Sequence, residues 1–163
     1  MKIISVGLSL LIVLFSNALH AQKKDDLKKE IIEKAITTRN YVFKAENVMP
    51  SGAVPNRQLN YGYDLRVSPD TIISYLPYFG RAYVAPMDPA KGGIQFTSTK
   101  FEYKETKRKK GGWDIQIKPQ DTQDATQMVL TVSETGFASL QVISNNRQPI
   151  SFNGYVDEKK SKR

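Results

Sequence analysis

The residues best suited to binding chemistry lie in one aromatic segment, Tyr75 to Tyr83. Pro77 interrupts strand pairing and Gly80 permits a sharp bend, so we expect the rings to line the mouth of a barrel, with Arg81 offering its planar guanidinium to a carboxylate or phosphate. The alternative is a strand corner whose rings fill the core and whose arginine pairs with a nearby carboxylate. Arg147 lies in a later turn and is either a ligand contact or a turn residue. The predicted ligand-binding residues are Tyr75, Tyr78, Phe79, Arg81, Tyr83 and Arg147.

A second candidate is the basic run that ends at Gly111-Gly112. It separates two strand-like segments, 101–105 and 113–118, and so predicts the exposed tip of a hairpin. One interpretation is a solvated loop that protects the hairpin edge. The other is attraction to an anionic lipid or polysaccharide of the cell envelope. The residues predicted to contact such a surface are Lys107, Arg108, Lys109 and Lys110.

The basic charge is unevenly distributed along the chain, whose formal net charge is +8. Residues 22–40 hold six basic and four acidic side chains, the tip holds four basic, and 157–163 hold four basic and two acidic. Together these three segments carry more net positive charge than the whole of residues 22–163. The remaining strand body is therefore slightly acidic. Nucleic-acid binders need many phosphate contacts on one footprint, and this distribution argues against that function.

The catalytic possibilities are few because the chain has no cysteine and a single histidine, His20. Removal of residues 1–21 would remove that histidine, which excludes Ser-His-Asp and Cys-His nucleophile systems and zinc sites built from Cys and His. A carboxylate pair could still hydrolyse glycosides, but the acidic residues fall at outward strand positions or beside turns. Asp121 and Asp124 lack the Asp-x-Asp-x-Asp-Gly pattern of a calcium loop. We therefore predict a non-enzyme without a cofactor or a metal site.

The first 21 residues have the form of a cleaved secretory signal. Met1-Lys2 precedes an apolar run, Ile3 to Phe15, and a small, polar exit ends at Ala21. That run is shorter than the roughly 18 to 20 residues of a spanning helix, and no cysteine follows it for lipid attachment. The sequence therefore predicts an exported, soluble protein of the periplasm or the extracellular space, with no integral membrane segment after cleavage.

The elements that must position these residues are one helix followed by strands. Residues 25–39 have helical periodicity, with Leu27, Ile31 and Ala35 on one stripe and Ile32 and Ile36 beside it. From Tyr41 the period changes to two, and short Gly- and Asn-containing turns separate successive runs. About ten strands are predicted, at 41–48, 61–68, 71–75 and 81–85, in five segments from Ile94 to Val142, and at 150–156.

Short connections favour antiparallel neighbours, and a long open sheet tends to curl. We predict a mainly β protein (α+β by element count), an antiparallel meander forming a barrel or a strongly curved sheet with one N-terminal helix. A two-sheet sandwich is the alternative. The predicted organisation is a signal at 1–21, one domain at 22–156 and a basic tail at 157–163.

The segment Leu76-Pro77-Tyr78-Phe79-Gly80-Arg81-Ala82-Tyr83 resembles an exported bacterial family known as domain of unknown function 4251. The flanking Tyr41-Val42-Phe43-Lys44-Ala45, Ile94-Gln95-Phe96 and Phe101-Glu102-Tyr103, and the C-terminal run from Gly136 to Gly154, are similar too. The resemblance covers about Tyr41 to Val156 and implies a lipocalin-like barrel in secreted proteins or lipoproteins of Bacteroidetes-like bacteria. This chain departs from the lipoprotein members because it lacks their cysteine. The family has no established activity, so no catalytic residue is implied.

Two function classes remain open. One is a non-catalytic module that binds an apolar or amphipathic small molecule, such as a lipid-like ligand, near Tyr78 and Arg81. The other is a structural or interaction protein of the envelope that engages an anionic surface or a protein partner through its basic helix, hairpin tip and tail. The predicted barrel is compatible with both classes, since the interior of an eight-stranded barrel holds either side chains or one small ligand.

Overall fold

The computed structural model of the protein describes residues 25–52, 55–60, 62–83 and 92–159. One helix, α1 (residues 25–37), precedes ten strands. The strands are β1 (Tyr41–Pro50), β2 (Arg57–Gln58), β3 (Asp64–Val67), β4 (Ile72–Leu76), β5 (Ile94–Ser98), β6 (Phe101–Lys107), β7 (Trp113–Pro119), β8 (Gln127–Val132), β9 (Phe137–Ile143) and β10 (Ile150–Glu158). The predicted signal at 1–21 lies outside the described residues. Among those residues, no helix is long and apolar enough to cross a membrane.

The strands form one antiparallel sheet that curls into a nearly closed barrel. Its order is β5-β4-β3-β1-β10-β9-β8-β7-β6, and β2 pairs with β1 beside β3. The two edge strands are consecutive in the chain, since only Thr99 and Lys100 separate β5 from β6. That bend is fixed to the loop after β7, because the amides of Thr99 and Lys100 both donate to Asp121 Oδ2, at 2.9 and 3.1 Å. Because β5 pairs with β4, β6 pairs with β7 and only two residues connect β5 to β6, the two edges of the sheet lie near each other and the sheet curves round on itself. This confirms the predicted meander and barrel.

The interior of the barrel is filled by the inward side chains of these strands. Alternation places one residue in two inside, because successive side chains of a strand point to opposite faces. The β7, β8 and β9 patterns follow this rule closely. Apolar side chains of at most 3% exposure that form this core include Phe43, Leu65, Ile72, Leu76, Ile94, Trp113, Ile115, Ile117, Met128, Leu130, Leu140, Ile150 and Phe152.

Helix α1 covers one end of the barrel with part of its apolar face. Ile32, Ala35 and Ile36 are buried, whereas Leu27 and Ile31 are 52% and 46% exposed. The predicted apolar stripe is therefore buried only in part, because the sheet covers only the flank of the helix that faces it. The helix ends two residues earlier than predicted, where Arg39 takes a left-handed conformation (φ 51°) and the amide of Asn40 donates to Ala35 O at 2.9 Å. This is the Schellman type of helix end.

We call this end, with α1, the hairpin tip Arg108–Gly112 and Lys159, the helical end. The loop end is opposite, and it contains residues 77–83, 120–126 and 144–149. Two predicted elements differ from the structure. The strand predicted at 81–85 is reduced to an isolated bridge between Ala82 and Arg147, and residues 84–85 lie outside the described part. Strand β10 extends to Glu158, two residues beyond the strand predicted at 150–156.

Candidate functional site

The aromatic segment after β4 folds into a compact corner at the loop end. Pro77 has no N–H to donate to a sheet, and β4 ends before it. The Tyr78 hydroxyl donates to Arg81 O at 2.8 Å, which closes the corner on itself, and burial raises the pKa of Tyr78. Gly80 leaves room for this hydroxyl, because a Cβ would lie 2.7 Å from the Tyr78 hydroxyl oxygen and would displace it. The corner thus uses its tyrosine as a support for its own backbone.

Arg147 joins this corner to two other segments. Its Nη1 donates to Gly93 O at 2.6 Å, and its Nη2 lies 3.1 Å from Asp124 Oδ1. The guanidinium carbon is 5.2 Å from the centre of the Tyr78 ring, a cation–π contact. The Arg147 side chain is 10% exposed, so its donors are directed into the protein. We call this arrangement the Arg147 clamp.

The other predicted ligand-binding residues do not share one lining. Tyr75 lies on the outer wall of the barrel, stacked on Tyr63 with ring centres 5.6 Å apart. Tyr83 is 63% exposed, and Arg57 lies over the ring of Phe79 at 5.2 Å. Arg81 is exposed, and no carboxylate in the described ranges forms an ion pair with it. Tyr78 and Arg147 are brought together, while Tyr75 is separated from them.

The basic run lies at the helical end, as the tip of the β6–β7 hairpin. Gly111 and Gly112 adopt positive φ angles of 88° and 84°, which the tight connection requires. Lys107 Nζ is 2.8 Å from Glu33 Oε1 on α1, and this hydrogen bond raises the pKa of Lys107. Arg108 Nε lies 3.7 Å from Asp114 Oδ2. Lys109 and Lys110 are exposed, and no carboxylate of the described residues is within ion-pair distance of them.

All three basic segments of the sequence converge on the helical end. The Lys107–Glu33 pair joins the tip to α1, and Lys159 Nζ donates to Ser68 Oγ at 2.7 Å beyond the end of β3. The same end exposes apolar side chains, since Leu27 and Ile31 of α1 are half exposed and Phe137 is 68% exposed. Lysine side chains and exposed apolar groups therefore occur at the same end of the molecule, and Lys28 Nζ lies 5.7 Å from the centre of the Phe137 ring.

A cleft on the outer wall was not predicted from the sequence. It measures about 270 Å³ and lies where the β1–β3 pairing ends. Registered partners form a row across the wall at this level: Tyr75, Asp64, Lys44, Tyr155 and Phe137. The exposed position of Tyr75, which alternates with buried Ser74 and Leu76, was the available sequence signal. The cleft itself joins residues that are far apart in the chain.

In the described part of the chain, no three Asp, Glu or His side chains come close enough together to hold one metal ion. Carboxylates there serve as partners for cations, as Asp124 does for Arg147 and Glu33 does for Lys107. The geometry therefore offers surfaces and a cleft for binding.

The fold and these surfaces define the protein as a small, filled antiparallel β-barrel with a helix across one end. The family model described as Domain of unknown function (DUF4251) matches residues 23–156. The chain belongs to this family, which confirms the resemblance found in the sequence.

One solved structure is similar across nearly the whole chain. It is the crystal structure of a DUF4251 family protein from Bacteroides eggerthii DSM 20697, with a TM-score of 0.60 and 15% identity. The similarity covers 84% of this chain and 91% of that one. At this identity the likeness concerns the fold alone. None of the curated proteins compared with the sequence matches it.

Proposed function

We propose that the protein is a non-catalytic interaction protein of the cell envelope that binds an anionic lipid surface through its helical end. The observation that carries this proposal is the convergence of α1, the hairpin tip and the C-terminal segment at one end of the barrel. A lysine near an anionic membrane surface contributes about 1 kcal/mol of attraction, so several exposed lysines on one side suffice for peripheral binding. Export of the chain, predicted from residues 1–21, would bring it to such a surface.

The exposed apolar groups strengthen this proposal. An interfacial helix places apolar side chains at the boundary between headgroups and acyl chains while its lysines contact phosphates. Leu27 and Ile31 are one helical turn apart on α1, and Lys28 Nζ lies 5.7 Å from the centre of the exposed Phe137 ring. A surface with charge alone would bind salt-sensitively, whereas added apolar contacts retain part of the binding at high salt.

The experiment is sedimentation of the protein, as its host produces it, with vesicles of phosphatidylglycerol and phosphatidylcholine. Binding should require the anionic lipid and weaken as salt is raised. Lys109→Glu with Lys110→Glu should weaken it by at least about tenfold, because two exposed cations become anions. Arg81→Glu with Lys100→Glu makes the same change of charge at the loop end and should leave binding unchanged. Equal binding to pure phosphatidylcholine, or equal losses in both double variants, would contradict the proposal.

Small-molecule binding is a second candidate function, and one observation favours it. Space for a small ligand is present in the cleft on the outer wall that Tyr63, Asp64 and Tyr155 line. A ligand bound there would lie on the outer wall, away from the corner at Tyr78. A ligand-binding module of this kind is compatible with the barrel fold and is independent of the helical end.

A further inference from the structure

The outer-wall cleft forms where the hydrogen-bonded wall of the barrel is interrupted. Strand β1 pairs with β3 as far as Lys44 and with β2 from Asn47, and its register shifts between Ala45 and Asn47. The chain between β2 and β3 leaves the sheet at this point. Two backbone bonds hold its ends, from Leu59 N to Glu46 O at 2.8 Å and from Ala45 N to Tyr63 O at 2.9 Å. The cleft is therefore a fixed feature of the backbone, because bulges of this kind interrupt pairing and redirect side chains.

Aromatic rings line the cleft. Tyr63 and Tyr155 are both half-buried lining residues. Tyr63 is held by Tyr75, whose ring stacks on it with an angle of 25° between the planes. Lys44 lies between the aromatic groups, with its Nζ 5.3 Å from the centre of the Tyr155 ring and 3.1 Å from Asp157 Oδ2. Ring faces held in this way attract the polarised C–H groups of a ligand, since the face of an aromatic ring carries partial negative charge.

A buried acceptor lies beside these rings. Asp64 lines the cleft; its Oδ2 accepts a hydrogen bond from Arg66 Nε at 2.9 Å, but its Oδ1 is buried and accepts none. It is the one such side-chain atom in the described part of the protein. Because Oδ1 has almost no accessible surface, a ligand donor meets this carboxylate at Oδ2, beside the Arg66 hydrogen bond. The site therefore selects for a hydrogen-bond donor.

From this geometry we infer that the cleft binds one neutral pyranose sugar ring. A pyranose combines hydroxyl donors for Asp64 with a face of C–H groups for Tyr63 and Tyr155. The cleft volume of about 270 Å³ is just below the usual range for small-molecule sites, which fits a ligand of one ring. Glu46 and Asp64 in the lining disfavour an anion, and Lys44 disfavours a simple cation. A purely apolar ligand would cover the Asp64 carboxylate without adding a hydrogen bond to it.

Nuclear magnetic resonance titration of the isotope-labelled, full protein tests this inference. The probes are glucose, galactose, mannose and N-acetylglucosamine, with sorbitol as an open-chain polyol that has hydroxyls but no ring face. At least one pyranose should shift the amide signals of Ala45, Leu59 and Tyr63 saturably, with a Kd of about 1 to 10 mM. Sorbitol should not. The inference is overturned if none of the four pyranoses binds below about 50 mM, or if sorbitol shifts the same amides equally.

Variants then assign the binding to the cleft. Asp64→Asn keeps the shape but replaces a charged acceptor, and Tyr75→Ala removes the support of Tyr63 from an exposed position; each should weaken the sugar by about tenfold. Asp114→Asn and Tyr83→Ala make the same changes at exposed positions outside the cleft and should bind the sugar as the wild type does. Unchanged binding in both cleft variants would place the sugar elsewhere. These results are independent of vesicle binding by the helical end.

Discussion

The two ends of the barrel are closed by different kinds of interaction. At the helical end, Ile32 and Ile36 of α1 cover the core and are at most 2% exposed. At the loop end, one guanidinium closes the structure, as Arg147 reaches Gly93 O, Asp124 and the Tyr78 ring. Apolar burial is non-directional and scales with area, whereas the clamp depends on a few hydrogen bonds in fixed directions. At the first end, a substitution should therefore cost stability in proportion to the apolar area that it removes, whereas at the second end the loss of one guanidinium removes all of these contacts together.

The difference also separates stability from surface chemistry. At the helical end the groups that close the barrel are apolar, and the cations that face outward are other residues, such as Lys109 and Lys110. At the loop end Arg147 is at once a predicted ligand contact and the residue that holds the corner. Substitutions can change the outward charge of the helical end without opening the core, while a substitution of Arg147 changes the charge and the closure of the loop end together.

The largest expected effect is the loss of stability in Ile36→Ala, which removes a buried side chain of α1 from the helical end of the core. Ile36 is completely buried under the barrel end, so truncation removes its apolar contacts and leaves a cavity. We expect the free energy of unfolding to fall by about 3 kcal/mol, measured by urea denaturation. Ile31→Ala makes the same substitution five residues earlier, at an exposed position, and should change stability by less than about 0.5 kcal/mol. Equal effects of the two would mean that α1 does not seal the core.

A smaller effect is expected when the clamp is removed in Arg147→Met. Methionine retains apolar bulk beside Tyr78 but leaves Gly93 O and Asp124 without their charged donor. The expected loss is about 2 kcal/mol, below that of a fully buried ion pair because the Asp124 side chain is 32% exposed. Hydrogen exchange should quicken at the amides of Tyr83 and Gln148, which bond across the corner to Asn146 and Arg81. Arg81→Met is the matched control, and a loss as large as that of Arg147→Met would contradict the clamp.

Much of the fold follows from local pattern, which is why it could be predicted. Trp113, Ile115 and Ile117 alternate with polar residues, and each lies inside the barrel in β7 as period two requires. The helix was recognised by its 3.6-residue period, although its exposed stripe of Leu27 and Ile31 shows that period alone does not identify the flank that is covered. Pattern gives the possible faces, and tertiary packing selects between them.

The candidate sites depend on register and long-range closure, which local pattern does not contain. Lys44 meets Asp64 and Tyr155 only because β1 pairs with both β3 and β10. The bulge that opens the cleft, between Ala45 and Asn47, has no composition signal in the chain. The contacts of Arg147 with Asp124 and Gly93 likewise join three loops across the barrel end. The sequence predicts Arg147 as a ligand contact or a turn residue, but only the structure shows its partners.

The smallest expected effect concerns the helical end, where a pair of tyrosines lies beneath the apolar side chains of α1. The hydroxyl oxygens of Tyr41 and Tyr103 are 3.2 Å apart, and Arg39 lies over the Tyr103 ring at 4.5 Å. Burial raises the pKa of Tyr103 to about 12 and that of Tyr41 well above its usual range.

In the unfolded chain both phenols titrate near pH 10, so above this pH the unfolded state loses protons first and the free energy of unfolding falls. The stabilisation is complete below about pH 10 and is lost as the pH rises through about 12. Replacing both residues, Tyr41→Phe with Tyr103→Phe, should flatten this fall by on the order of 1 kcal/mol in denaturation curves recorded from pH 9 to 12. Tyr83→Phe removes an exposed phenol and should keep the wild-type slope. If the double variant also keeps that slope, the buried tyrosine pair does not contribute to the alkaline limit of the fold.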